Sequence, residues 1–243
     1  MTSWTTELGL GRPVALWPAM GVHADVEPWP PPIDADRSAL RRRLAAEHPE
    51  CIAQLPGSEA AVAEVAALVG AADLVGVAVG QNDDLCILAA APRWPLVAGA
   101  VLFPSYWRLA DKLGLPVAAV HERVPGYPGA QVDRFLGRLR VGQVAWRRNL
   151  LVHRDGRLHA PEIGDDDVPV KEWWLRSERQ TFRLLPATGA VLFTIHTDTA
   201  PLASLEASTR GALADRLDAM PPTWAGYAGV GDRLGELVDH LRR

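Results

Sequence analysis

The stretch VLFPSYWRLADKLGLPVAAVHERVPGY, residues 101–127, is the part of the chain around which we expect the rest to be organised. Within it, residues 115–120 form an apolar run with β-branched valines, which predicts a β-strand. His121 follows that run directly, and Pro125 and Gly126 predict a turn soon after it. The sequence therefore predicts one imidazole held at the end of a stiff strand, with a pocket built around it.

Length and composition predict one main domain with an N-terminal addition. The chain has 243 residues and is 48% hydrophobic, which is enough to bury a sizeable core. Residues 1–36 are rich in proline and tryptophan, and proline without periodicity favours an extended wrap. We expect residues 37–243 to form a single α+β domain.

Charge and cysteine content argue against several classes of protein. The net charge is -4 and the isoelectric point is near 6.0, so nothing predicts binding to nucleic acid. The apolar runs are too short to span a membrane, and the N-terminus lacks a signal-peptide pattern. Cys51 and Cys86 are the only cysteines, which argues against a disulfide scaffold or a cysteine zinc site. A cytoplasmic protein without a membrane partner is the expectation.

Hydrophobic periodicity and turn signals predict a mixture of strands and helices. The predicted strands are 74–80, 85–91, 96–103, 115–121, 190–199 and a hairpin over 146–161 that turns at Asp155-Gly156. The predicted helices are 38–49, 59–72, 106–113, 131–139, 204–219 and 229–243, and the segment 173–186 is helical or extended. This pattern predicts an α+β fold with a mainly antiparallel sheet, in which 115–120 and 190–196 are central strands.

Four segments together resemble one family, the heme-dependent oxidative N-demethylases. The segments are QNDDLC at 81–86, FPSYW at 103–107 with KLG at 112–114, VHERVPG at 120–126, and LRSERQT at 175–181 with FTI at 193–195. Their order and spacing are similar to the family's over roughly residues 12–230. The chain differs from the family's common pattern at Leu150, where a tryptophan is frequent, and at His196, where an arginine is frequent.

The resemblance implies a fold, a cofactor and a reaction. It implies a PAS-like antiparallel sheet with flanking helices that holds heme b. It also implies oxidation of a small secondary amine, such as dimethylamine, by O2. The electrons would come from a separate flavin and iron–sulfur reductase subunit, because this chain has neither a ferredoxin-like cysteine cluster nor a flavin fingerprint.

Heme iron needs an axial donor, and a neutral imidazole is a common one. Five of the seven histidines are expected at exposed positions or in the N-terminal wrap: His23, His48, His153, His159 and His240. His121 and His196 remain, each in an apolar run, and the resemblance makes His121 the favoured proximal ligand. For His196, a contact with a heme propionate or with substrate is as good an interpretation as ligation. Cys86 is a rival ligand, although a buried cysteine is more often inert packing.

Arginines and tryptophans complete the candidate cofactor site. Arg176 and Arg179 would share one face if their segment were helical, and arginine binds carboxylates such as heme propionates in a bidentate fork. Trp107 is a candidate to bound a flat cofactor. Each of these residues also has an ordinary interpretation, in surface ion pairs or in core packing.

Two other functions stay open at this point. A PAS-type sensor that binds heme or another ligand without turnover would use the same fold. A degenerate family member that has lost heme would retain the fold alone. A Soret absorption band excludes the second alternative, and turnover of dimethylamine with a reductase excludes the first.

Overall fold

The computed structural model describes residues 20–24, 29 and 33–243. Within these residues, seven strands form one sheet in which every pairing is antiparallel. In chain order they are β1 Met20–Ala24, β2 Ile52–Gln54, β3 Asp84–Leu88, β4 Leu96–Ala100, β5 Gln143–His153, β6 Trp174–Leu184 and β7 Val191–Pro201. Their spatial order is β1-β5-β6-β7-β3-β4-β2.

In the described part of the chain, helices occupy three of the six connections between consecutive strands and the region that follows β7. They are α1 Ala35–Glu47, α2 Glu59–Val69, α3 Leu74–Val79, α4 Val117–Val120, α5 Gly129–Leu136, α6 Ala207–Asp218, α7 Pro222–Tyr227 and α8 Leu234–Arg242. The predicted α+β class with a mainly antiparallel sheet is therefore confirmed. The finer description of the sheet as PAS-like stays a prediction, and this strand order is compatible with it.

The two faces of the sheet carry different layers, because alternate residues of each strand point to opposite sides. We call the side that bears Arg147, Glu178 and Gln180 the polar face; residues 101–139 cover one end of it. We call the other side the helix face. Helices α1–α3 pack on one end of the helix face and α6 and α8 on the other, each around its own apolar cluster.

The segment 190–196 is a central strand, as predicted, but 115–120 is not a strand. Residues Val117–Val120 form the single helical turn α4, which begins after Pro116. The reason is that β4 has almost no free edge: Ala98 and Ala100 pair with β3 on one side and with β2 on the other. Residues 114 and 115 form backbone hydrogen bonds with Leu96 alone in this strand. The apolar run that follows therefore cannot extend the sheet and forms a helical turn.

The segment 74–80 is also helical and not a strand. Asp73 caps α3 by accepting a hydrogen bond from the Gly76 amide at 2.7 Å. Leu74, Val77 and Ala78 are buried at the i, i+3, i+4 spacing of a helix. A short, wholly apolar run carries no periodicity that separates strand from helix, and the cap decides it here.

The structure decides three further expectations about secondary structure. No return strand follows the Asp155-Gly156 turn, and residues 154–161 are irregular apart from one isolated bridge. The segment 173–186, for which helix and strand were both open, is largely the strand β6. In the predicted helix 106–113 only the 3-10 turn Leu109–Asp111 is helical.

Most of the predicted N-terminal wrap lies outside the described residues. Of residues 1–36, the structure describes β1, which pairs with β5 from Met20↔Arg147 to Ala24↔Gln143, and the start of α1. The boundary at residue 36 stays a prediction.

A buried ion pair joins three of these elements. Arg41 of α1 donates through Nη1 to Asp84 Oδ1 at 2.9 Å and through Nε to the Ala78 carbonyl at 2.7 Å, and both charged side chains are essentially unexposed. Asp84 also accepts from the amides of Leu102 at 3.0 Å and Phe103 at 2.7 Å. Burial raises the pKa of the Asp84 carboxyl, while the charge of Arg41 and the two amides act in the opposite direction.

Replacing Asp84 by alanine is expected to destabilise the fold by about 3–5 kcal/mol, because it leaves the Arg41 charge buried without a partner. The measurement is the midpoint of urea unfolding. Glu47→Ala is the matched control, since Glu47 forms an exposed ion pair with Arg43 at 4.0 Å and such pairs contribute about 0–1 kcal/mol. Equal losses in the two variants would contradict a dominant role for the buried pair.

Candidate functional site

His121 lies at the C-terminal end of α4, where backbone and ring contacts hold its side chain. Its Nδ1 lies 2.9 Å from the Val117 carbonyl oxygen, one helical turn earlier. Its ring stacks on Tyr127 with 4.5 Å between ring centroids and 3° between planes. The predicted rigid support for this imidazole therefore exists, although a helical turn supplies it and not a strand.

The surroundings of His121 favour the neutral imidazole. Burial lowers the pKa of His121; the hydrogen bond to Val117 opposes this, and the nearby charges of Arg147 and Lys112 lower it further. A neutral ring that donates Nδ1–H to a carbonyl has its lone pair on Nε2. Metal-ligating histidines typically make this backbone hydrogen bond through the nitrogen that does not bind the metal.

The centre of the polar face is a chain of side-chain hydrogen bonds. Arg147 Nε donates to Gln180 Oε1, and Gln180 Nε2 donates to Glu178 Oε2 at 3.0 Å. Arg176 Nε donates to the other oxygen of Glu178 at 3.1 Å, and Asn149 Nδ2 donates to Glu178 at 3.4 Å. These five side chains belong to two neighbouring strands, β5 and β6, and form one polar network.

Arg147 is the member of this network whose charge acts on His121. Burial lowers the pKa of the Arg147 guanidinium, and the surrounding Tyr127, Glu178 and Tyr227 act against that effect. Among the described residues only Nε of this guanidinium has a hydrogen-bond partner. The two Nη groups are therefore available to a carboxylate, in the fork geometry that arginine offers.

Arg176 forms a buried salt bridge with the carboxylate of Glu178 at 3.1 Å. Its Nη groups donate to the carbonyls of Leu158, at 3.0 Å, and of Phe103. Arg179 lies on the opposite face, because residues three apart in a strand point to different sides. The shared face depended on a helical segment, and because this segment is a strand the two arginines lie on different faces.

His196 lies on the helix face, on the side of the sheet away from His121. Its Nδ1 is 2.7 Å from Asp83 Oδ1 and its Nε2 is 3.5 Å from Asp198 Oδ2. Asp198 also forms an ion pair with Arg37 of α1 at 3.0 Å. Burial acts to lower the pKa of His196, but the hydrogen bonds to Asp198 and Asp83 and their charges outweigh it and raise the pKa to about 9. The direct role of His196 toward a cofactor stays a prediction.

Trp107 and Cys86 belong to the apolar cluster beneath residues 101–139. Trp107 is half-buried in this cluster, which also contains Val120 and Tyr127 from either side of His121. Cys86 is 4% exposed, and burial, together with the charge of Asp84, raises the pKa of its thiol far above the usual range. The thiolate that iron ligation needs is therefore disfavoured at Cys86.

His153 is buried, not exposed as its position beside a predicted hairpin turn suggested. It is 1% exposed, its Nε2 lies 3.0 Å from Ser105 Oγ, and its ring stacks on Tyr106 with 4.3 Å between centroids. Burial, followed by the charge of Arg176, lowers the pKa of His153 to about 3. The expectation failed because the chain after Asp155-Gly156 folds back over the polar face without forming a strand.

A surface cleft of about 450 Å³ lies apart from His121. Its lining residues are Arg154, Ile163, Gly164, Asp166, Gly226, Gly229, Gly231 and Asp232. Among the described residues, no group of three or more histidine, cysteine, aspartate or glutamate side chains is placed to hold a metal ion. Heme iron needs only one protein axial ligand. Each helix in the described part of the chain is too short or too polar to cross a lipid bilayer.

The sequence did not single out Arg147, Glu178 and Gln180 as site residues. The signal that would have found them is the period of two within residues 174–184. Once this segment is treated as a strand, Arg176, Glu178 and Gln180 fall on one face. Arg147 follows only from the pairing register, which places it opposite Gln180.

The fold and the site define an α+β protein with a neutral histidine beside a buried polar network on one face of its sheet. The family model described as haem-dependent oxidative N-demethylase, alpha subunit-like, matches residues 73–236, which is more than half of the chain. The chain therefore belongs to this family. None of the curated proteins matches it.

The raised pKa of His196 predicts a pH-dependent contribution to stability. Protonated His196 is stabilised in the folded state, so its contribution is fully present below the unfolded pKa of about 6.5 and is lost as the pH rises through about 9. We expect wild type to exceed His196→Gln by on the order of 2 kcal/mol near pH 6, and this difference to shrink toward pH 10. The measurement is urea unfolding across this pH range.

His240→Gln on α8 controls for the loss of a histidine elsewhere. A stability difference between wild type and His196→Gln that stays constant from pH 6 to pH 10 would contradict the charged pairing with Asp83 and Asp198.

Proposed function

We propose that this protein is the heme-binding subunit of an oxidative N-demethylase, acting on a small secondary amine of the dimethylamine type with O2. A separate flavin and iron–sulfur reductase subunit supplies the electrons, and the reaction takes place in the cytoplasm. The observation that carries the proposal is the state of His121: a neutral ring, oriented by a backbone carbonyl through Nδ1, beside an arginine with free Nη groups. Membership of the family supports the dependence on heme.

The residues present fit heme b. His121 would hold the iron through Nε2, because its Nδ1 hydrogen bond leaves that nitrogen as the free donor. Trp107 and the cluster that includes Val120 would cover apolar cofactor surface and exclude water. Arg147 would hold a propionate through its Nη groups. Heme supplies the oxygen chemistry when bound, and the protein supplies binding, orientation and electrostatics.

The proposal assigns different roles to Arg176, Arg179 and His196. Arg176 acts through Glu178, whose carboxylate it holds in place on the polar face. Arg179 and His196 are paired residues of β6 and β7 on the helix face. They could contact a cofactor directly only if that cofactor also reached the helix face of the sheet. Both contacts stay predictions.

The polar face offers groups suited to a small amine. A secondary amine is cationic at neutral pH, and the carboxylate of Glu178 is the anionic group at the centre of the network. The hydroxyls of Tyr127 and Tyr227 lie close enough to influence the Arg147 charge, and burial raises the pKa of both phenols, so they remain neutral hydrogen-bonding groups. The network therefore orients the amine without moving side chains, because its members are already hydrogen-bonded to one another.

Replacing His121 by alanine is expected to abolish heme binding while leaving the fold intact. The reason is that no other described residue places an imidazole nitrogen at this site to bind the iron. The measurement is Soret absorbance per protein after reconstitution with hemin, with circular dichroism as the folding control. His196→Ala should bind heme to the wild-type level. Added imidazole should restore a Soret band in His121→Ala.

Full heme occupancy in His121→Ala, with loss in His196→Ala, would reverse the assignment of the axial ligand. The absence of a Soret band in reconstituted wild type would contradict the proposed function as a whole. Formation of formaldehyde from dimethylamine, with O2 and a reductase, separates an enzyme from a sensor.

Replacing Arg147 by alanine is expected to weaken heme binding by about tenfold to a hundredfold, the size of a lost hydrogen bond to a charged group. The measurement is the dissociation constant for hemin by Soret titration. Arg148→Ala is the matched control, since this neighbouring side chain belongs to the opposite face of β5. Equal affinities in the two variants would contradict a propionate contact by Arg147.

A further inference from the structure

The segment between Asp133 and Asp155 carries an uneven charge. It contains no aspartate or glutamate, and its six arginines are Arg134, Arg138, Arg140, Arg147, Arg148 and Arg154. The chain as a whole has a net charge of -4. This segment is therefore locally cationic on a protein that is otherwise anionic.

Three of these arginines are exposed and have no ion pair or side-chain hydrogen bond with any described residue: Arg134, Arg138 and Arg140. Several exposed cations elsewhere have carboxylate partners, as in the pairs Arg43–Glu47, Arg108–Glu162, Arg157–Asp155 and Arg242–Asp218. The three unpaired guanidiniums lie within seven residues, so their charges add at one place on the surface.

Apolar side chains lie among these arginines. Phe135 is 37% exposed and Val141 is 55% exposed, and both are among the large hydrophobic residues that the fold leaves in contact with solvent. Arginine and aromatic residues are the types enriched at protein–protein interfaces. We call the set Arg134, Phe135, Arg138, Arg140 and Val141 the arginine surface.

The arginine surface is rigidly connected to His121. Helix α5 packs closely on α4, since a Cβ at Gly129 would lie 3.0 Å from Ala118 Cβ. Tyr127, which stacks on His121, lies two residues before the start of α5. Leu136 at the end of α5 is fully buried in the apolar cluster beneath it. A protein bound at the arginine surface would therefore lie against the elements that position His121.

We infer that the arginine surface is the docking site for an acidic protein partner. On the proposed function, this partner is the iron–sulfur electron donor, and the inference rests on that function for the identity of the partner only. The unpaired guanidiniums steer the approach of an acidic surface, and the exposed Phe135 and Val141 provide the apolar contact. A nucleic acid fits less well, because the net charge of -4 repels a polyanion that extends beyond three arginines.

The test measures binding of a plant-type [2Fe–2S] ferredoxin, an acidic iron–sulfur protein, to the full chain by biolayer interferometry at low and high salt. The variant R134E/R138E/R140E is compared with R43E/K171E/R243E, which changes the net charge equally at scattered exposed positions. We expect the first variant to bind at least about tenfold more weakly at low salt and to lose most of the salt dependence. We expect the second to stay within about twofold of wild type.

The assay is performed with and without heme, so the docking result does not depend on cofactor loading. A wild-type protein that takes up no heme but still binds ferredoxin would contradict the proposed function and would leave the inferred docking site valid. Equal weakening in the two variants, or no binding of ferredoxin by wild type, would overturn the inference. So would a single-stranded oligonucleotide that binds through the same three arginines while ferredoxin does not.

Discussion

The buried pair of Arg41 and Asp84 is the constraint on which the rest of the structure depends. Asp84 receives the Arg41 guanidinium on one side and the amides of Leu102 and Phe103 on the other, so it joins α1 to the start of the segment that carries His121. A buried carboxylate with these partners tolerates little movement, since any lost partner leaves a charge unpaired in a low-dielectric interior. The path of residues 101–127 over the sheet begins from this fixed point.

The same constraint extends to the polar face through Phe103. Its amide donates to Asp84 and its carbonyl accepts from Arg176, so one residue connects the ion pair to the network of Glu178 and Gln180. Hydrogen bonds of this kind restrict the movement of the side chains that they join. Arg147 at the end of the chain is therefore held beside His121 before any ligand binds, and its charge helps to keep that imidazole neutral.

The charged residues of the helix face pair with one another and stabilise the fold, whereas the polar face retains groups that can bind a ligand. On the helix face, His196 with Asp83 and Asp198 ties β7 to the turn before β3, and Arg37 ties α1 to the same group. On the polar face, His121 Nε2 and the Nη groups of Arg147 have no hydrogen-bond partner among the described residues. The arginine surface continues from the layer that covers this second face, so cofactor and partner would approach the protein from the same side.

The sequence by itself determined the α+β class, the strand at 190–196 and the family, because long β-branched runs and several motifs in order are strong local signals. Tertiary structure alone decided that 115–120 is a helical turn and that His153 is buried, whereas the local cap at Asp73 decided that 74–80 is a helix. Short apolar runs are compatible with both strand and helix. For residues 115–120 the outcome depended on a free edge of β4, and β4 is paired on both sides over most of its length. The faces on which Arg176 and Arg179 lie were likewise decided by the formation of strand β6. The pairing of Arg147 with Gln180 was decided by the register between β5 and β6.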